Sequence, residues 1–422
     1  KNVTYVFPID NWFTILARLQ SESHLKLSFN KYLFPKYPDL ARQFYRYVHK
    51  SGKCKNKHIP LSTFKQQCEK ILAMLDDNAI IETYAEDGTV RPDDFRSLLY
   101  ISYKLSMDHY PEGPQTSVVK GCFNNKDSHS VGFVVRWLEE HCHRLIFPVH
   151  RYCVHMLATR HRELEAAGAG AGGAALELGT PVLERSAWGA AGALPVSAAW
   201  LLAATAPPLY SRPLIRYDTP AGGTSASAAW LARLVCALPS HWAPLYLSRE
   251  HGLGANRFLH HTLAYRGPTL VVVEGAGESV TVVVCASQEW RETHQYWGGP
   301  DCALVQYALV ERAPKMLYLN SCIRGYPKGL RAGSDPRRPL LAVAEGFDAF
   351  TFQGVPYELA AIEVWGCGEQ SLRDAQLDVK KWQVKEAERQ RQVKISAADW
   401  IEHPDRYLLE LAGRPQYNNS AS

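Results

Sequence analysis

Six side chains in the second half of the sequence are of the types that move protons: His260, His261, Glu274, Glu278, Asp348 and Glu363. Carboxylates and histidines carry acid–base chemistry when their surroundings drive their proton affinities apart. Here they are spread over short segments bounded by turns. A carboxylate that begins such a strand, as Glu363 does in "IEVWG", is more often structural or at the surface than a tuned acid. The chain has no Gly-x-Ser-x-Gly elbow, no His-Glu-x-x-His and no Walker loop ending in Lys-Ser/Thr. No catalytic constellation and no cofactor are expected.

Three further chemistries are offered by residue type. Cys285, Cys302 and Cys322 suit redox work if they are exposed in electropositive surroundings, whereas cysteine in a β-rich run is more often a small buried hydrophobe. His141, Cys142, His143, His150, Cys153 and His155 suggest zinc. His141 and His143 lie on different helical faces, however, while His150 and Cys153 have a workable spacing, and solvated histidines on an amphipathic helix are the favoured reading. The third is phosphate binding by the glycines of "RGPTLVVVEGAGESVTVVV". That site needs a helix after the loop, and here β-branched residues resume directly after Ser279, so a hairpin turn is expected.

Calcium is the remaining option. "HIPLSTF" and "TVRPDDF" each place a β-branched residue, Ile59 or Val90, five positions before a helix-opening Phe, the frame of an EF-hand pair. The ligand positions hold Thr83, Ala85, Asp87 and Asp94 in one loop, with Gly88 at the turn. In the other they hold Gly52, Cys54, Asn56 and Thr63 among Lys53, Lys55 and Lys57. A hard dication meets too few oxygens there, so the expectation is an EF-hand-like scaffold with no metal.

Composition sets the frame for these residues. Hydrophobic residues at 46% and charged residues at 21% are ordinary for globular chains, and a net charge of +5 with acids interspersed among bases supports no nucleic-acid surface. Ten scattered cysteines without a secretory leader lead us to expect free thiols in a reducing compartment. The sequence opens at Lys1, so an earlier start is expected. Ser186 to Ser211 carries no charge, but its alanines, glycines and prolines fit a buried helical segment better than a bilayer span.

Helical periodicity dominates residues 1–164, with stripes such as Leu40, Phe44 and Val48 or Phe95, Leu98 and Leu99, and with Ser62 and Asp93 as expected N-caps. Pro148 is expected to kink or break the long helical region after Val131. An Ala/Gly-rich linker follows at 165–180 and a helical bridging segment at 181–222. From 223 to 368 short β-branched and aromatic runs alternate with turns, and 369–422 reads as a helical tail. The fold class is α+β, with a largely antiparallel sheet or sandwich and flanking helices.

"ALPSHWAPLYLSREHGLGANRFLHH", "RGPTLVVVE", "YLNSCIRGYPKGLRAG", "AFTFQG" and "IEVWGCG" together resemble the TLDc family in order and spacing. An EF-hand-like region before the TLDc domain, and the helix "ADWIEHPDRYLLELAGR" after it, is similar to the layout of the family's mTOR-associated lysosomal member. The sequence departs from the family pattern at Val283, Val284 and Cys285, in "SDPRRPLLAVAEG" and in the insertion "AQLDVKKWQVKEAERQRQVK".

The tail is suited to binding. Apolar residues recur at Leu372, Ala375, Val379 and Trp382, a seam that packs on another helix. Trp400, Ile401, Tyr407, Leu408 and Leu411 follow as further anchors. They fit either a partner's groove or the chain's own TLDc domain, and the resemblance favours the partner. It implies a non-enzymatic regulatory adaptor on the cytosolic subunits of the vacuolar proton-pumping ATPase, cytoplasmic and peripheral to the lysosomal membrane, linked to mTOR signalling components. An oxidation-resistance protein using thiol chemistry is the alternative, and an uncharacterised hydrolase the third reading.

Overall fold

The computed structural model describes residues 29–54, 59–73, 78–106, 116–167, 196–210, 242–278, 280–306, 309–313, 315–391 and 411. The first helices are α1 (Pro38–Ser51), α2 (Leu61–Ala73), α3 (Asn78–Thr83) and α4 (Pro92–Ser106). After them come α5 (Thr116–Phe123), α6 (Val131–His141) and α7 (Phe147–Ala167). The expected stripes are buried: Leu40, Phe44 and Val48 in α1, joined by Ala41 and Tyr47, and Phe95, Leu98 and Leu99 in α4. Helix starts differ from expectation. Pro92 takes the first position of α4, so Asp93 lies inside the first turn, where its charge favours the helix N-terminus. Ser62 likewise falls inside α2. Pro148 stands at the start of α7, where its missing N–H costs nothing, so the long helical region is broken there rather than kinked.

The EF-hand frame pairs differently from the sequence pattern. Strand β1 (Thr89–Val90) ladders with β2 (His129–Ser130), with Val90 opposite His129, while Ile59 is buried outside this ladder. The paired half is thus the α5–α6 segment, in which Ser130 caps α6 by accepting the Phe133 amide at 3.3 Å. The histidines correct a second expectation: His150 and His155 are buried in the helical core, not solvated. The charge-free stretch contributes α8 (Val196–Thr205), whose residues from Ala199 to Ala204 are buried. Arg144 donates to the carbonyls of Ala203, at 2.7 Å, and Ala206, satisfying the end of that helix. Among the described residues, no helix is long and apolar enough to cross a membrane.

Strands β3 (Ala243–Leu247), β4 (Thr269–Gly275), β5 (Thr281–Ala286), β6 (Ala303–Gln306) and β7 (Leu309–Arg312) make one half of an antiparallel sandwich, with helices α9 (Ser248–His251) and α10 (Ala255–Thr262) between β3 and β4. Strands β8 (Leu317–Asn320), β9 (Gly329–Ala332), β10 (Leu341–Val343) and β11 (Ala349–Phe352) make the other. Both halves share the long β12 (Val355–Gly366): its first residues pair with β11 and, beyond a bulge at Leu359/Ala361, the rest pairs with β4 and β3. The glycine segment is the β4–β5 turn, with Gly277 at φ 69°, a region that favours glycine.

The inner faces meet in a core that includes Val271, Val273, Val282 and Val284 from the first half and Leu319, Leu330, Phe350 and Phe352 from the second. The alternate residues of the first half, Leu270, Val272, Val283, Cys285, Val305 and Trp365, belong to the same apolar cluster as the helical core. Strands β4 and β5 are therefore covered on both faces, which explains their near-continuous valine runs.

Two predictions follow from this burial. Val271→Ala and Val272→Ala should each destabilise the chain by about 2 kcal/mol in urea denaturation, since each empties a different core. A neutral Val272→Ala would mean that the outer face is not packed. Burial also lowers the His155 pKa from 6.5 to about 4. Between those values the unfolded chain takes up a proton that the folded chain refuses, so stability falls as pH drops through the window. Replacing His155 with Phe should remove about 2 kcal/mol of the stability difference between pH 7 and pH 5. An unchanged difference would contradict a buried neutral imidazole.

Candidate functional site

The route from sheet to tail is built around Tyr265. Its ring lies against three glycines so closely that a Cβ on Gly366 would come within 2.7 Å of it and one on Gly267 within 2.8 Å. The Gly368 amide donates to its hydroxyl at 2.9 Å, and burial pushes its pKa up to about 12, which keeps the phenol neutral. Leu372 packs against this arrangement: a Cβ on Gly368 would meet it at 2.5 Å. Leu372 lies in the first turn of helix α11 (Gln370–Arg391).

Residues 374–422 form a second compact unit. On α11, Trp382 is 64% exposed, and Ala375, Val379, Leu377 and Val384 are also exposed. The polar groups of this helix pair locally, Lys381 with Asp378 at 3.1 Å and Arg389 with Glu386 at 2.9 Å. Leu411 is exposed, while Trp400, Ile401, Tyr407 and Leu408 lie outside the described residues. Among the predicted anchors, the structure therefore places Trp382 and its stripe at the surface.

Three of the proton-moving candidates, Glu363, Glu274 and His261, have structural partners. Glu363 is fully buried and accepts the Trp365 indole N–H at 3.1 Å. Glu274 pairs with Arg249 at 3.0 Å. His261 lies against His251 with ring centroids 4.0 Å apart and the rings tilted by 38°, and His251 Nδ1 accepts the Leu247 amide at 3.1 Å. The nearby Ser248 hydroxyl accepts from the Ile362 amide at 3.0 Å. His260 is exposed, Asp348 lies in the β10–β11 turn, and the Glu278 side chain is outside the described set. Among the thiols, Cys285 and Cys302 are buried and Cys322 is exposed. Gly299 N–H donates to Cys302 Sγ at 3.3 Å, with the Ser287 hydroxyl at the same distance.

Ion pairs occupy the acids of the EF-hand-like loop. Lys50 from α1 reaches Asp87 at 2.8 Å and lowers its pKa, Arg46 and Arg91 reach Glu86 at 3.5 and 3.4 Å, and Arg91 reaches Asp94 at 3.0 Å. Thr83 turns its hydroxyl back to the Ile80 carbonyl at 2.7 Å. Among the described residues, no group of three or more His, Cys, Asp or Glu side chains is placed to hold a metal ion. Beside this loop lies a cleft of about 760 Å³ between α1 and the α3–β1 segment, lined by Tyr45, Tyr47, Lys50, Glu82 and Asp87 among others. Sequence reading missed it. The available signal was a second tyrosine, Tyr45, off the buried stripe of α1.

Residues 226–320 match the family described as TLDc domain, so such a domain is present. The match runs through β3 to the end of β8, and β9 to β12 complete the sandwich beyond it. The chain is also similar to two fungal proteins named Restriction of telomere capping protein 5. The protein from Leptosphaeria maculans is 39% identical over 57 residues, 14% of this chain and 9% of that protein. The one from Colletotrichum graminicola is 41% identical over 64 residues, 15% and 10% of the two chains. The chain thus spans only about a tenth of the length of these curated relatives.

For calcium, titration calorimetry on the full chain should give no binding heat, because the loop acids already hold lysine and arginine. Micromolar binding would overturn that account.

Proposed function

We propose that this chain, which carries a TLDc domain, is a non-enzymatic regulatory adaptor that uses α11 as its docking element. The observation that carries the reading is the exposed stripe of Ala375, Val379 and Trp382 on α11. Exposed tryptophan on a rigid helix is the type of residue that dominates partner affinity. The resemblance in layout supplies the partner: cytosolic subunits of the vacuolar proton-pumping ATPase, met at the lysosomal surface, with a link to mTOR signalling. Glu363 and Glu274 support this reading over a hydrolase, because each carboxylate already has a structural partner.

One observation keeps a second reading in view. Cys322 is exposed, so an oxidation-resistance role through thiol chemistry has a candidate nucleophile, whereas Cys285 and Cys302 are sheltered.

A pull-down from lysosome-enriched lysate should recover the ATPase subunits. Trp382→Ala, which leaves the thermal melt unchanged because the side chain is exposed, should reduce recovery by about tenfold or more. A chain stopped before Asp399 tests the remaining anchors in the same assay. Recovery that neither change alters would remove the tail from the proposal. Peroxide protection lost on Cys322→Ser would favour the thiol reading, and protection retained would favour the adaptor.

A further inference from the structure

We infer that the cleft between α1 and the α3–β1 segment binds a cationic stretch of polypeptide, seating a lysine or arginine side chain against Tyr45, Tyr47 and Glu82. The cleft is about 760 Å³, within the range of roughly 300–1,000 Å³ typical of ligand sites. It is larger than one side chain needs, and Ala85 and Val131 add apolar wall for neighbouring residues.

Its charge selects the ligand. Three carboxylates line it, from Glu82, Glu86 and Asp87, against the cations Arg46 and Lys50. Both cations are already engaged, Lys50 by Asp87 and Arg46 by Glu86, and Arg91 adds a second contact to Glu86. Glu82 is exposed and has no ion pair among the described residues, so the surplus charge is negative in a chain with a net charge of +5.

The wall beside Glu82 is aromatic. Tyr45 stacks on His49, with centroids 6.1 Å apart and the rings at 29°. The Tyr47 hydroxyl is buried without a well-formed hydrogen bond, although Ser51 stands close, and burial followed by the Glu82 charge raises its pKa. The phenol therefore stays neutral and adds no charge to the wall. An ammonium or guanidinium group entering here gains Glu82 as counter-ion and the partly exposed Tyr45 ring for cation–π attraction. An anion would meet the surplus carboxylate instead.

Saturation-transfer NMR on the full chain tests the site with the hexapeptide acetyl-Leu-Arg-Ala-Lys-Ala-Leu-amide. Transfer to the Arg and Lys methylenes is expected, with affinity falling about tenfold in Glu82→Gln and in Tyr45→Leu. Thermal melts should confirm that both variants remain folded. The same peptide with glutamine in place of its two cations should show no transfer. Absence of transfer at millimolar peptide, equal transfer from the glutamine peptide, or affinity unchanged in Glu82→Gln would each overturn the inference.

Discussion

Burial of one sheet half on both faces is the constraint on which the rest of the structure depends. Strands β4 and β5 exchange their backbone hydrogen bonds with each other and with β12 and β6, so their polar groups are satisfied in the plane of the sheet. Their side chains then fill the sandwich core on one side and the helical core on the other. A polar side chain on such a strand must find a partner at once, because an unpaired buried charge is strongly destabilising. Glu363 has the Trp365 indole, two residues along on the same face. That arrangement commits both faces of β4 and β5 to packing.

Two surfaces stand out. One is α11, whose first turn packs Leu372 with Tyr265 and the glycines and whose later residues Val379 and Trp382 are exposed. The other is the α1 cleft, where lysine and arginine pair with the acids Glu86 and Asp87 and leave Glu82 over. We propose both as surfaces for protein contact.

Much of the sheet was legible from residue order. The two valine runs around "EGAGE" read as a hairpin because β-branched residues on both sides of a glycine turn favour paired strands, and the structure forms that hairpin. Strand β9 was not legible: "GLRA" is short, and Gly329 is there because a Cβ would meet the Val343 carbonyl oxygen at 2.1 Å, a tertiary fact. The partner of β1 was missed for a related reason. His129 stands where a β-branched residue was sought, and it is held by stacking on Phe133 at 3.9 Å. His150 and His155 read as solvated from their polar type alone, whereas the helical core packs around them. At the candidate sites, the Trp382 stripe was visible through its three-four spacing. The packing around Tyr265 and the cleft depend on contacts between segments distant in sequence.

The central claim is that recognition resides on α11 and not on the doubly covered sheet. Hydrogen exchange on the full chain, with and without the purified cytosolic sector of the vacuolar proton-pumping ATPase, tests it most directly. The account predicts slowed exchange across residues 374–391 on addition of that sector, with β4 and β5 unchanged because they are already protected. Protection gained in β4 and β5 with none on the helix would contradict it.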